Sequence, residues 1–165
     1  MLVLSSFQLS SSSMKKVKKE IKSAFDISNF KMEPFSIENS ESYKLLSKFT
    51  TKNFYTIKNE SSELMGYAYM EKAPSKTAEF DYLILLDNDL VVKKTKVLIY
   101  REEYGGEIAS KRWLKQFTGK TINDGLIYKK DIAVISGATI SVRSLTNAVN
   151  NFMKSVAVLH EKNIL

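Results

Sequence analysis

Phe80-Asp81-Tyr82-Leu83-Ile84-Leu85-Leu86, followed by Asp87-Asn88-Asp89, is the stretch that sets the fold. Apolar side chains occupy odd and even positions alike, so a strand here is covered on both faces and lies inside a sheet. The polar turn after it leads directly into residues 91–101. A connection that short joins antiparallel partners. Upstream, residues 53–57 and 64–71 are rich in aromatic and β-branched side chains, punctuated by Asn59-Glu60-Ser61-Ser62 and Pro74-Ser75. Consecutive strands followed by helices specify an α+β domain, an antiparallel sheet packed with helices.

Helical spacing flanks the strands. Residues 14–25 alternate lysines with Val17, Ile21, Ala24 and Phe25, which predicts a short amphipathic helix. Ile37, Tyr43, Leu46 and Phe49 suggest another over 37–49. Ile108, Trp113, Leu114 and Phe117 predict a helix over 107–117, and a short strand is expected at 131–135. The clearest element is a long C-terminal helix, where Leu145, Val149, Phe152, Val156 and Leu159 recur in steps of four and three. That stripe is core packing.

The chain divides into a leader over 1–13, a helical segment over 14–50 and a main domain over 51–165. The apolar start Met1 to Leu9 and the serines Ser10 to Ser13 resemble the back half of a signal peptide, and we expect its start upstream of Met1. This points to a location outside the cytoplasm; the alternative is a disordered leader on a cytoplasmic protein.

Composition narrows the chemistry. At 165 residues, 44% hydrophobic and 26% charged, the chain has the make-up of a soluble globular domain. The absence of cysteine excludes disulfides, thiol catalysis and iron–sulfur ligation. His160 stands alone, so no metal site is expected. The net charge is +7 and the pI about 9.4, with Lys15, Lys16, Lys18, Lys19 and Lys22 gathered near the N-terminus. We read these as a solvated helix or an arm near a membrane, ahead of the folded part. A basic stripe flanked by readers of bases is missing, so no nucleic-acid partner is expected.

The candidate site lies in Ile132-Ala133-Val134-Ile135-Ser136-Gly137-Ala138-Thr139-Ile140-Ser141-Val142-Arg143. An apolar run leads into small and hydroxyl residues that open the long helix. Gly137 and Ala138 admit close approach to the backbone, Thr139 and Ser141 offer hydroxyls, and first-turn N–H groups have no intrahelical acceptor. An anion suits such a place, above all a phosphate. No acidic residue occurs between Asp131 and Glu161, and Arg143 sits in the first turn, unfavourable against the helix dipole unless an anion joins it. The competing reading makes Thr139 or Ser141 a simple N-cap.

Ser136-Gly137-Ala138-Thr139 with Ile140-Ser141 resembles the signature of the FMN-binding domain family, which includes the flavin-carrying subunits of the sodium-pumping NADH:quinone oxidoreductase and the Rnf complex. A second block is similar to the family's glutamate–glycine loop and the turn beyond it: Tyr100-Arg101-Glu102-Glu103-Tyr104-Gly105-Gly106-Glu107-Ile108, then Trp113-Leu114 and Gln116-Phe117-Thr118-Gly119-Lys120. The resemblance covers about residues 53–159 and makes 51–165 the FMN-binding domain. It implies FMN, with Ser136, Gly137, Ala138, Ile140 and Ser141 around the phosphate. In that family a flavin transferase can join the motif threonine to FMN by a phosphoester bond, and by this resemblance Thr139 would be the acceptor. Glu102, Glu103, Gly105 and Gly106 would lie against the flavin ring. The transferase is expected to favour an aspartate at position 133, where this chain has Ala133; the nearest is Asp131.

The chain has no G-x-G-x-x-G after a strand and no evident acid–base pair for turnover. We therefore expect an electron carrier serving redox partner proteins or a membrane electron-transfer complex. The alternatives are a flavin-dependent reductase with its own substrate and a non-redox module binding anionic surfaces through Lys15 to Lys22.

Overall fold

The computed structural model describes residues 9–165; residues 1–8 of the expected leader lie outside them. The strands β1 (Lys31–Pro34), β2 (Phe54–Lys58), β3 (Leu64–Pro74), β4 (Glu79–Asp87) and β5 (Val92–Ile99) form one sheet in the order β1-β2-β3-β4-β5. Every neighbouring pair is antiparallel. Helix α1 (Ser11–Phe25) covers one face and α3 (Thr139–Glu161) the other; the short α2 (Lys111–Leu114) lies between β5 and α3 in the chain. The α+β expectation holds, with the long helix after the Ser136–Thr139 loop as predicted.

The two-faced apolarity of β4 follows from these layers. Phe80, Tyr82, Ile84 and Leu86 join the core under α3, and Leu83 and Leu85 join the core under α1. Leu145, Val149, Phe152, Val156 and Leu159 are fully buried, and Phe152 stacks on Tyr69 with ring centroids 4.4 Å apart. Burying each such side chain contributes roughly 1.5–3 kcal/mol.

The lysine-rich segment is not an arm ahead of the fold. Val17 and Ile21, one turn apart, are fully buried against Ile57, Ala68, Met70, Leu83 and Leu85. Glu20 pairs with Lys94 and Lys96 on β5, and Lys16 Nζ donates to Leu98 O. The serine run opens this helix: Ser10 is its N-cap, accepting from the Ser13 N–H, and Ser13 is buried.

Three local expectations fail. The segment 37–49 holds only one 3-10 turn, Ser40–Tyr43, stopped on both sides by Asn39 and Lys44 at φ 53° and 51°. Its downstream backbone is claimed by side chains: Ser155 Oγ accepts from the N–H groups of Leu46 and Ser47, and Asn53 Oδ1 from Thr50. The 107–117 helix is split into a 3-10 turn at Gly106–Ala109, then α2, then a 3-10 turn at Lys115–Phe117, because Ser110 is extended and caps α2. Residues 131–135 are no strand. Lys129 reverses the chain at φ 70°, and only an isolated bridge joins Tyr128 to Ile132. Edge strand β1 had no clear signal; it ends in Pro34, which an edge tolerates.

Candidate functional site

Ile135 is buried and anchors the turn that follows, its carbonyl accepting from the Ala138 N–H at 3.2 Å. Gly137 takes φ 77°, where a side chain is strained, and swings the chain into the helix. Ala138 is the N-cap of α3 and offers no side-chain cap, so neither Thr139 nor Ser141 takes that part. The first helical bond runs from Val142 N to Ala138 O at 2.9 Å. The N–H groups of Thr139, Ile140 and Ser141 therefore have no acceptor in the helix, and its first turn holds no acid. The positive end of a long dipole stays open to an anion.

The Arg143 guanidinium of this first turn lies over the Tyr128 ring, 4.8 Å from the centroid.

The loop after β5 meets this turn. Arg101 clamps it to the sheet, with both guanidinium nitrogens on the buried Asp81 carboxylate at 2.9 and 3.2 Å and a third bond to Glu79 O at 2.8 Å. Glu102 reaches the β3–β4 turn, accepting from Thr77 N at 2.7 Å, Thr77 Oγ1 at 2.8 Å and Ala78 N at 3.3 Å. The nearby Ser75 hydroxyl and then the Thr77 donors hold the Glu102 carboxyl down at about 2. Ser75 Oγ acts there by proximity, since it makes no hydrogen bond of good geometry. Gly105 sits at φ 77° against the motif: a Cβ on it would lie 2.4 Å from Ala138 Cβ.

Between these loops opens a cleft of about 310 Å³, walled by Tyr100, Tyr104, Glu102 and Lys76 on one side and by Gly137 to Ser141 on the other. Tyr100 Oη and Ser141 Oγ share a hydrogen bond of 3.1 Å across it. A second cleft, about 580 Å³, lies behind the motif, where Ser136 and Ala133 to Ile135 face Trp113, Gln116 and Arg112. The motif is thus a ridge between two hollows, and both volumes fall in the range of small-ligand sites.

Of the residues expected to form the site, the structure brings Gly137, Ala138, Thr139, Ile140, Ser141 and Glu102 into the first cleft, with Gly105 packed against Ala138. Ser136 faces the second cleft. Glu103 and Gly106 line neither. Lys76, Tyr100 and Tyr104 were missed as lining residues. Tyr100 and Tyr104 fall within the quoted block, whereas nothing in the sequence brings Lys76 from the β3–β4 turn to this helix.

Hydrogen bonds tie down the approach to the motif. Trp113 Nε1 donates to Ala133 O at 2.8 Å, and Ala133 N donates to Gln116 Oε1 at 2.8 Å. Asp131 is engaged elsewhere, its carboxylate accepting from Ile127 N at 2.7 Å. The donor set fits a phosphate: uncapped N–H groups, an exposed hydroxyl on Thr139, a backbone free of bulk at Gly137, and no acid in the turn.

No match to the chain was found among curated proteins. The model of the family described as FMN-binding domain matches residues 16–154, which takes in most of α1, the whole sheet, both clefts and most of α3. The chain belongs to the FMN-binding domain family, and FMN is its cofactor.

Proposed function

We propose that the FMN phosphate is held at the N-terminus of α3, by the N–H groups of Thr139, Ile140 and Ser141 and the Thr139 hydroxyl, and that the domain relays electrons between partner proteins. The observation that carries this reading is that α3 opens onto the first cleft with no side-chain cap and no acid in its first turn. Charge-assisted hydrogen bonds to such a group contribute about 1.5–3 kcal/mol each. Lys76, also in that cleft, adds a cation near the anion.

FMN supplies the redox chemistry, and the chain supplies grip, position and dielectric. Tyr100 orients the Ser141 hydroxyl, and Gly105 brings the loop's backbone to the motif without a side chain between. The sequence holds no second nucleotide fingerprint, which favours relay over turnover of a substrate. The ordered likeness of two sequence blocks to the flavin subunits of the sodium-pumping oxidoreductase and Rnf complexes favours a membrane electron-transfer complex as the partner.

We read the attachment as noncovalent. Ala133 stands where a transferase is expected to seek an aspartate, and Asp131 is bound to its own turn. The test is the intact mass and visible spectrum of the protein co-expressed with a flavin transferase. An unmodified mass with a flavin spectrum, and FMN affinity about tenfold weaker in Thr139→Ala from one lost hydrogen bond, supports the reading. A gain of one FMN less water, abolished in Thr139→Ala, would establish a phosphoester at Thr139 instead. Wild-type affinity in Thr139→Ala would move the phosphate elsewhere.

A further inference from the structure

The lysines of α1 form a second surface that the flavin site does not use. At about 100° per residue, Lys15, Lys18, Lys19 and Lys22 fall within an arc of roughly 100°. That arc lies opposite Ser13, Val17 and Ile21, the buried side of the helix. All four lysines are exposed, and none forms an ion pair among the described residues. The only acid within the helix, Glu20, is turned towards β5 and neutralised there by Lys94 and Lys96. Its neighbours hold Glu20 below the ordinary carboxylate range although burial opposes this. The outward face thus keeps its full positive charge, on a helix pinned to the sheet.

Beside this stripe the α1 side of the sheet is left partly open. A groove of about 450 Å³ runs between α1 and the β1–β2 edge. Its lining is mixed: Met14, Phe30, Met32 and Tyr55 supply the apolar part, Ser28 and Asn29 are polar, and Lys18 and Lys22 stand one turn apart beside it. A helix lying flat, with cations outward and an apolar flank beside them, is the arrangement that seats on an anionic bilayer: ammonium groups meet headgroup phosphates while methionine and aromatic side chains meet the acyl boundary. A water-dissolved polyanion would reward the lysines but not the apolar part of the lining.

We infer that the α1 face, with Lys15, Lys18, Lys19 and Lys22 and the Met14–Phe30–Met32–Tyr55 groove, docks the protein on anionic phospholipid. The flavin cleft lies on the α3 side of the sheet, built onto Tyr100 and Ala138 of that core. Docking through α1 therefore leaves the cleft accessible to a redox partner, and the two activities are separable. This surface is independent of where the FMN phosphate binds.

The experiment is co-sedimentation of the full chain with vesicles of phosphatidylcholine alone and of phosphatidylcholine mixed equally with phosphatidylglycerol, with the flavin spectrum read in parallel. Binding is expected only to the mixed vesicles and is expected to fall steeply with salt. Each lysine near such a surface is worth roughly fivefold in affinity, so Lys18→Gln with Lys22→Gln should weaken binding roughly twenty-five-fold. Lys129→Gln with Lys130→Gln removes the same charge from the α3 side and should leave binding within about twofold of wild type. Both pairs should keep the wild-type circular dichroism and FMN affinity. Equal binding to both vesicles overturns the inference, as does an equal loss in both double variants, which would reduce the effect to net charge. Capture of an acidic polypeptide or oligonucleotide with no preference between the vesicles overturns the lipid assignment.

Discussion

Replacing Gly105 by alanine tests whether the loop after β5 and the motif before α3 are one unit. Gly105 lies at φ 77°, where an L-residue costs about 1–2 kcal/mol. Its new Cβ would meet Ala138 Cβ at 2.4 Å and the Ala138 Cα and Gly137 O at 3.1 Å each, so backbone as well as a methyl group has to move. Overpacking of that kind costs about 1–3 kcal/mol. With partial relaxation the sum is about 2–4 kcal/mol, which for a domain of this size lowers Tm by about 5–15 °C. Gly137→Ala meets the same conformational strain, but its nearest neighbour beyond the adjoining residues is Tyr104 Cβ at an ordinary 3.5 Å, so about 1 kcal/mol is expected. Gly106→Ala meets nothing within 4 Å and has no positive φ, so it should be neutral within about 0.5 kcal/mol. The assay is thermal unfolding followed by circular dichroism, with and without FMN. Ligand stabilisation should shrink most in Gly105→Ala, because the residue displaced is the N-cap of α3. A neutral Gly105→Ala, or a Gly106→Ala as harmful as it, would refute the idea that close packing at Ala138 joins the loops.

Three further outcomes follow from the same contacts. Glu102 titrates at about 2 in the folded chain, below the ordinary 4.5, so its contribution to stability is complete above about 4.5 and is lost as pH falls towards 2; acid unfolding of Glu102→Gln should lose that part of the pH dependence, and a carboxyl chemical shift of Glu102 titrating near 4.5 would contradict it. Trp113→Phe removes the bond to Ala133 O and should cost about 1 kcal/mol in urea unfolding, with a few-fold weaker FMN as residues 133–136 loosen; unchanged affinity would detach that clamp from the site. Phe152→Ala removes the ring stacked on Tyr69 in the α3 core and should cost about 3–5 kcal/mol by chemical denaturation; a loss under 1 kcal/mol would mean that α3 does not seal that face.

Much of the architecture is legible in the sequence. Strands β2 to β5 and the two long helices carry local signals: the helices repeat their burial with the helical period, and the strands are short apolar and aromatic runs bounded by polar turns. The motif Ser136–Ser141 was legible for a similar reason, since small residues before a long apolar stripe specify an open helix start. The failures lie where side chains elsewhere captured the backbone. Ser155 and Asn53 took the donors of 46–50, and Trp113 and Gln116 took both polar groups of Ala133. No local pattern announces a hydrogen bond made by a residue 109 positions away.

The sequence by itself determined the α+β class with its antiparallel strands, the long helix α3 after residues 136–139, and the kinship with the FMN-binding domain family. These depend on periodicity, on turn length and on residues adjacent in the chain. Tertiary structure alone decided that α1 is a layer of the fold rather than an arm, since Val17 and Ile21 needed the far face of the sheet to bury against. It also decided which residues wall the cleft, bringing Lys76 from the β3–β4 turn and Tyr104 from the loop after β5 to the start of α3. And it laid the Arg143 guanidinium over the Tyr128 ring, a contact between residues 15 positions apart that exists only once the turn before α3 has folded back on the helix.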